Sequence, residues 1–153
     1  LIDIVASDHC AFPEAEKKSA RTPWEAPAGI PGLETMINLI WTEGVAKGRL
    51  SLRRFVQATS ANPAKILGIY PRKGAILVGA DADLMVIDPK ERGRIGRGDV
   101  KCIAGYTPFE GWEIRGRVIA TIVRGSVVAS QGSILASPGY GVFVRREGGL
   151  QSC

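Results

Sequence analysis

The sequence predicts an α/β region followed by an all-β tail. Up to residue 70, a short apolar run, a long loop and helical patterns follow one another. After Tyr70, short runs of Ile, Val and Leu alternate with Gly, Asp-Pro or Arg-Gly, which is typical of strands joined by tight turns. We therefore place a boundary at residues 69–74 and expect one domain at 1–70 and a second at 71–153.

Composition limits the class of protein. A hydrophobic share of 45% with 23% charged residues is typical of a globular chain, and no apolar run approaches the roughly 20 residues that span a bilayer. The net charge is +5, but the basic residues are scattered without interleaved aromatic residues, so we expect no nucleic-acid partner and no membrane. The cysteines Cys10, Cys102 and Cys153 have no CxxC spacing, which favours a reducing, cytoplasmic location.

The first elements follow from apolar spacing. Ile2, Ile4 and Val5 predict a short buried strand that ends at Ser7. Residues 13–31 are rich in Pro, Gly, Ala and charge and predict a long loop, and loops of this length are often functional. The first residues lack the basic region of a secretory signal, so nothing points to export. The chain has no initiator methionine and begins inside a strand-like run, so we expect it to be a fragment.

Three helical patterns follow the loop. "LETMINLIWTEGV" predicts a helix that Gly44 ends, and Ser51 is a candidate N-cap for "LRRFVQAT". A further short helix, "PAKILGI", has Pro63 near its first position and Ser60 or Asn62 as a candidate cap. The tail then predicts strands at "GAILVG", "ADLMVIDP", "RVIATIVRG" and "SVVAS".

Asp8 is the candidate site residue. A carboxylate just after a buried strand could bind a metal ion, act as a general base, or cap the next turn, and on this reasoning alone the capping role is favoured. His9 is the sole histidine and cannot form a metal site alone, since zinc sites need three or four protein ligands. Cys10 fits a small buried residue better than a nucleophile.

Several segments, in order, resemble one family. They are "SDHCAF", "APAGIPGLET", "TSANPAKILGIYPRKGAILVGADADLMVIDP" and "YTPFEGWEIRGRVIATIVRG", which together cover nearly the whole chain. The sequence resembles the C-terminal part of the cyclic amidohydrolases, which include hydantoinases, dihydropyrimidinases, allantoinases and dihydroorotases. The resemblance implies a C-terminal fragment of a metal-dependent (β/α)8 TIM barrel plus part of a β-sandwich domain.

The resemblance also implies roles for three residues. Asp8 matches the aspartate that ligates one ion of a binuclear zinc centre and shuttles a proton, which makes it both the catalytic and the metal-binding candidate. "APAGIPG" aligns with the loop whose backbone binds the cyclic amide, so Ala28 and Gly29 are the substrate-binding candidates, although several hydantoinases carry asparagine at the position of Ala28. His9 and Cys10 are then neighbours of the site.

The remaining motifs fit architecture. "NPAKILG" predicts helix capping and packing, and "FEGW" predicts a packed aromatic pair without a catalytic role for Glu110 or Trp112. The other metal ligands of the family, two in a His-x-His pair, a carboxylated lysine and two further histidines, have no counterpart here. The chain alone is therefore expected to be catalytically silent.

The resemblance supports ring opening of hydantoin or a dihydropyrimidine by the parent protein. The small-molecule partner is then a cyclic amide, and a homo-oligomer, dimer or tetramer, is implied. Dihydroorotase or allantoinase activity is the alternative within the same chemistry. A non-catalytic scaffold relative and a free-standing β-rich binding module are alternatives from other classes.

Overall fold

The α-helices of the described residues precede the strands, whereas the sequence predicts a further strand ahead of the helices. The structure is a computed structural model that describes residues 2–146, so that Leu1 and Cys153 lie outside the described residues. The helices are α1 (Glu14–Ser19), α2 (Leu33–Ile40), α3 (Leu52–Val56) and α4 (Asn62–Ile66), and the strands are β1 (Leu84–Arg94), β2 (Glu113–Val123), β3 (Ser126–Ser130) and β4 (Ser133–Ile134).

Helix α2 continues into a π-helical segment, Trp41–Ala46. The predicted stop at Gly44 is therefore wrong by two residues, because Gly44 is buried inside this segment. Thr42 explains part of the local geometry: its Oγ1 donates to the carbonyl of Asn38 at 2.7 Å and accepts the backbone N–H of Arg115 at 3.0 Å. A threonine hydroxyl bonded to the carbonyl four residues earlier bends a helix and fills one of its acceptors.

Helices α3 and α4 form one continuous stretch through a π-helical segment, Gln57–Ala61. The predicted N-cap is confirmed, since the Ser51 hydroxyl accepts the N–H of Arg54 at 3.2 Å. The predicted cap at Ser60 or Asn62 is wrong, because no new helix start exists there. Asn62 instead donates from its side-chain amide to the carbonyl of Asp3 at 2.8 Å.

Two predicted strands are not formed. Residues 2–13 lie in no helix or strand, and Ile2 is 73% exposed. This segment forms backbone hydrogen bonds with helical residues and not with a strand: Val5 donates its N–H to the carbonyl of Ala58 at 3.1 Å. "GAILVG" is likewise a series of bends and turns, with Ile76 86% exposed. The loop at 13–31 is also shorter than predicted because α1 lies within it.

The strands form one sheet in the order β1-β2-β3-β4. β2 and β3 are antiparallel, with Val123 opposite Ser126 and Ala120 opposite Ser130, and the register shifts between Thr121 and Ile122. The predicted strands at "ADLMVIDP", "RVIATIVRG" and "SVVAS" are confirmed. Short turns join β2 to β3 and β3 to β4, as antiparallel neighbours allow, whereas residues 95–112 connect β1 to β2.

The described chain divides into two compact units. The first unit comprises residues 2–5, 50–87 and 118–146, and its buried apolar side chains are Phe55, Ala58 and Ala64. The second unit comprises residues 6–49 and 88–117, and its buried apolar side chains are Ile95, Ala104 and Ile114. The 70/71 domain boundary stays a prediction. None of the helices in residues 2–146 has the length and apolar character that crossing a bilayer requires.

An ion-pair cluster fixes the turn before β1 in the first unit. The Lys73 ammonium contacts the carboxylates of Asp81, at 2.8 Å, and Asp83. Asp83 also accepts the backbone N–H of Arg124 at 2.8 Å, so the cluster ties the β2–β3 turn to the start of β1. Hydrogen bonds from Lys73 and Arg72 lower the pKa of Asp81.

In Asp83 and Lys73, the ion pairs and hydrogen bonds shift the pKa in the direction opposite to the shift that burial alone would cause. Burial alone would raise the pKa of Asp83, but the hydrogen bonds from Lys73 and Arg124 outweigh it and lower the pKa. Burial alone would lower the pKa of Lys73, but Asp81 and Asp83 outweigh it and raise the pKa. The cluster is therefore charged over a wider pH range in the folded protein than in the unfolded one.

These shifts predict the pH range over which the cluster stabilises the fold. We compare the intact protein with Lys73→Met by denaturant unfolding across pH. The lowered carboxyl pKa values give a difference that is full above the ordinary value of 3.8 and is lost as pH falls through the folded values. The raised pKa of Lys73 gives a difference that is full below 10.5 and is lost as pH rises further.

The control is Lys90→Met, because Lys90 is exposed and its ammonium pairs with no acidic residue in the described part of the chain. Its difference from the wild type should not vary with pH. An Lys73→Met difference that stays constant from pH 2 to 12 would contradict the prediction.

Candidate functional site

Two segments that are distant in sequence are hydrogen-bonded to each other in the second unit. We call them the 7–10 segment, which holds Asp8, and the 28–33 loop, which holds Ala28 and Gly29. Cys10 donates its N–H to the carbonyl of Ile30 at 3.2 Å. The structure thus joins the stretches that carry all three predicted site residues.

Asp8 has an unusual backbone and an uncommitted side chain. Its φ is +44°, a left-handed conformation that Asp and Asn tolerate better than most residues. The residue is exposed, and its carboxylate has no hydrogen-bond or ion-pair partner among residues 2–146. Asp8 therefore makes no capping hydrogen bond within the described chain, and both of its carboxylate oxygens are available to a ligand.

His9 makes the main polar connection between the two segments. Its Nδ1 accepts the N–H of Gly32 at 3.3 Å and the N–H of Leu33 at 3.1 Å. Because a backbone N–H can only donate, Nδ1 carries the lone pair and the ring proton lies on Nε2. The sequence analysis treated His9 only as a neighbour, and no sequence signal links it to positions 23 and 24 residues later.

Gly29 lies where only glycine fits. Its φ is +129°, and a Cβ built on it would lie 2.5 Å from Cys10 Cβ and 2.7 Å from the Cys10 carbonyl oxygen. Ala28, next to it, is exposed. The close approach of the loop to Cys10 explains why a glycine stands at this position.

Glu34 is a second residue that sequence reasoning missed. Its Oε1 accepts the N–H groups of Lys101 and Cys102, at 2.7 and 2.8 Å. Backbone hydrogen bonds to a carboxylate are among the stronger ones, so α2 fixes the 101–102 turn within the second unit. No sequence signal links Glu34 to backbone groups 67 and 68 residues later.

The "FEGW" motif is built as the sequence predicts. Phe109 and Trp112 form an edge-to-face pair with ring centroids 5.4 Å apart. Glu110 pairs with Arg97 at 3.3 Å, and Arg97 also binds Glu14 at 3.1 Å. Hydrogen bonds from Arg97 and Lys18 lower the pKa of Glu14 to about 2. These contacts assign structural roles to Glu110 and Trp112, and the absence of a catalytic role stays a prediction.

The chemistry of the described residues fits one ligand of a metal centre. Asp8 offers two uncommitted carboxylate oxygens, which suit a hard or borderline cation. Nδ1 of His9 is already occupied by two backbone donors. Within residues 2–146 there is no group of three or more His, Cys, Asp or Glu side chains that could hold a metal ion. A zinc site needs three or four protein ligands, so Asp8 would contribute a single one.

A groove in the first unit does not coincide with this site. Its volume is about 500 Å³. Its lining includes Phe55, Pro63, Leu67 and Met85, with Lys73 and Asp83 of the ion-pair cluster at its edge. None of the predicted site residues lines it, so the groove does not alter the assignment of the candidate site to the 7–10 segment and the 28–33 loop.

Comparison with known proteins decides the family. The amidohydrolase family model matches residues 1–128, which is most of the chain. The chain belongs to the amidohydrolase family. This amidohydrolase chain is 42% identical over 147 residues to an L-hydantoinase of Paenarthrobacter aurescens, covering 95% of the chain and 32% of that protein. It is 38% identical over 148 residues to a D-phenylhydantoinase of Escherichia coli O1:K1 / APEC, again with 95% and 32% covered.

Solved structures give the same result for the amidohydrolase chain. A D-hydantoinase (dihydropyrimidinase) from Thermus sp. matches with a TM-score of 0.87 and 44% identity, covering 95% of the chain and 32% of that structure. An L-hydantoinase (dihydropyrimidinase) from Arthrobacter aurescens matches with a TM-score of 0.89 and 41% identity, covering 94% and 32%. The chain therefore spans about a third of the length of the relatives it matches.

The close approach at Gly29 predicts a specific loss of stability. Gly29→Ala in the intact protein should lower the free energy of unfolding by at least about 2 kcal/mol, because backbone strain and overlap with Cys10 add. The matched control is Gly79→Ala, since Gly79 also has a positive φ, +90°, but faces open space. Denaturant unfolding should show a clearly smaller loss for the control. Equal losses would mean that the approach to Cys10 is not tight.

Proposed function

We propose that the protein containing this chain hydrolyses the C–N bond of a cyclic amide and so opens a hydantoin or dihydropyrimidine ring. The observation that carries the proposal is the exposed, unpartnered carboxylate of Asp8, in a segment hydrogen-bonded to the 28–33 loop. The relatives that match 95% of the chain are named hydantoinases, which supports ring hydrolysis as the reaction. The relatives also support the barrel-plus-sandwich architecture as the setting of this chain.

Asp8 is the proposed metal ligand and proton carrier. Ring hydrolysis forms a C–O bond to water and breaks the C–N bond, so a proton must leave the water and reach the departing nitrogen. One carboxylate beside the reacting atoms can accept the first proton and donate it in the second step. A binuclear zinc centre, when bound, supplies charge stabilisation and an activated water. Asp8 would be one of its ligands.

The 28–33 loop is the proposed binding surface for the amide. The main chain beside Ala28 and Gly29 offers N–H and C=O groups, which match the donor and acceptor pattern of a cyclic amide. Gly29 keeps the loop free of a side chain at its point of closest approach to Cys10. From the same family resemblance we propose a cytoplasmic homo-oligomer, a dimer or tetramer.

Asp8→Asn should abolish ring opening while preserving the fold. Removing a general acid–base group costs about 100-fold or more in kcat. Asn tolerates the left-handed backbone of residue 8, so stability should change little. The measurement is hydantoin hydrolysis by the metal-loaded intact protein, followed by appearance of the carbamoyl product, with metal content determined in parallel.

Asp3→Asn is the matched control for this variant. It removes the same charge from the same stretch of chain, and the Asp3 side chain is 77% exposed, with Arg54 at 3.9 Å. Activity of this control should stay within about twofold of the wild type. Full activity of Asp8→Asn would contradict the proposed role of Asp8.

A substrate panel tests the proposed specificity. Hydantoin, dihydrouracil, dihydroorotate and allantoin are offered to the intact protein, and the first two should be hydrolysed fastest. Faster turnover of dihydroorotate or allantoin would assign the alternative activity. No turnover of any of the four by the metal-loaded protein would overturn the proposed reaction and favour a scaffold role.

The 153-residue chain by itself should show no hydrolysis. One carboxylate cannot hold a zinc centre, because such centres need at least three protein ligands. The measurement is hydantoin turnover by the isolated chain with added zinc, beside the intact protein as the positive control. Zinc-dependent turnover by the chain alone would show that Asp8 is not the only ligand it contributes.

A further inference from the structure

We infer that His9 is a positioning residue: its Nδ1 holds the 28–33 loop in register with Asp8 by accepting the N–H groups of Gly32 and Leu33. The inference deepens the proposed function and rests on it, because it assigns a purpose to a connection between the proposed metal ligand and the proposed binding loop. It depends on acceptor geometry alone and requires no change in the charge of His9.

The N-terminus of α2 explains why an outside acceptor is needed. The first N–H groups of a helix have no partner within it and are normally met by a side chain at the N-cap. The N-cap of α2 is Gly32, which has no side chain. Glu34, the acidic residue of the first turn, is committed to the N–H groups of Lys101 and Cys102. His9, from earlier in the chain, accepts the N–H of Leu33, the first residue of α2, and the N–H of Gly32 itself.

The position of His9 in the chain couples the 28–33 loop to the backbone of Asp8. It follows Asp8 directly, so the peptide that sets the Asp8 backbone also sets the imidazole. Its own N–H is oriented by the Ser7 hydroxyl, which accepts it at 3.3 Å. On the other side, Gly32 is buried, and a Cβ built on it would lie 3.2 Å from the Ser7 carbonyl oxygen. Loss of the imidazole would remove the hydrogen bonds to Gly32 and Leu33 and leave the Cys10–Ile30 bond in place.

Asparagine is the variant that preserves the acceptor. The side-chain oxygen of Asn is the same number of bonds from Cβ as Nδ1 of His and can accept the same N–H groups. His9→Leu keeps bulk and removes the acceptor. Ser51→Ala is the matched control, because it removes the only side-chain cap that α3 has from a residue outside the proposed site.

Two measurements are made on the intact, metal-loaded protein. Amide hydrogen exchange at Gly32 and Leu33 should be at least about tenfold faster in His9→Leu, near wild type in His9→Asn, and unchanged in Ser51→Ala, whose added exchange lies at Arg54. For hydantoin, His9→Leu should raise KM about tenfold with a smaller effect on kcat, and His9→Asn should restore KM to within about threefold.

The two measurements separate this inference from the proposed function. Unchanged exchange at Gly32 and Leu33 in His9→Leu would overturn the inference whether or not the protein is active. Faster exchange with unchanged KM would show that His9 caps α2 without positioning the binding loop, which also overturns it. A KM rise of the same size in Ser51→Ala would show that the effect of His9→Leu reflects a general loss of stability, which also overturns the inference. If the wild type does not open the ring, only the proposed function is overturned. Amide hydrogen exchange would still show whether His9 binds the N–H groups of Gly32 and Leu33.

Discussion

The connection between the imidazole of His9 and the N-terminus of α2 is the constraint on which the candidate site depends. Two N–H groups converge on one nitrogen, while the backbone at Gly29 lies against Cys10 without room for a Cβ. The hydrogen bonds to His9 fix the direction of the 28–33 loop relative to the 7–10 segment, and the contact at Gly29 fixes the distance between the two. Together they hold a carboxylate and a loop of accessible main chain in one arrangement, although neither segment belongs to a helix or strand before residue 33.

Helix α2 transmits this arrangement through the second unit. Its start is capped by His9, Glu34 in its first turn holds the 101–102 turn, and Thr42 in its π-helical extension holds the backbone of Arg115. These hydrogen bonds lie along α2 and its extension and connect it to three different segments of the second unit. Apolar packing by residues such as Ile114 adds stability, but the hydrogen bonds select the orientation.

Local sequence signals predicted the elements that depend on local interactions. The Ser51 cap, the helical spacing after Leu33 and the strands around the Arg124–Gly125 turn are all decided by residues a few positions apart. The apolar runs at Ile2 and Ile76 were wrongly predicted as strands, because a strand also needs a neighbour in register, which an apolar pattern does not encode. Asp8 was singled out by its place after an apolar run, but its metal-binding role and the substrate-binding role of Gly29 came only from resemblance to a family. The role of His9 could not be predicted, since its partners lie more than 20 residues away and are backbone groups.

The joined segments close the base of residues 11–28 as a stem closes a loop. The entropic cost of closing a loop grows slowly with its length, at about 0.6 kcal/mol per doubling. Residues between Ala11 and Pro27 can therefore be lengthened, shortened or exchanged with little effect on the stem, which keeps Asp8 and Gly29 in place. The positions of Asp8 and Gly29 thus depend on the stem and not on the length of the loop that the stem closes.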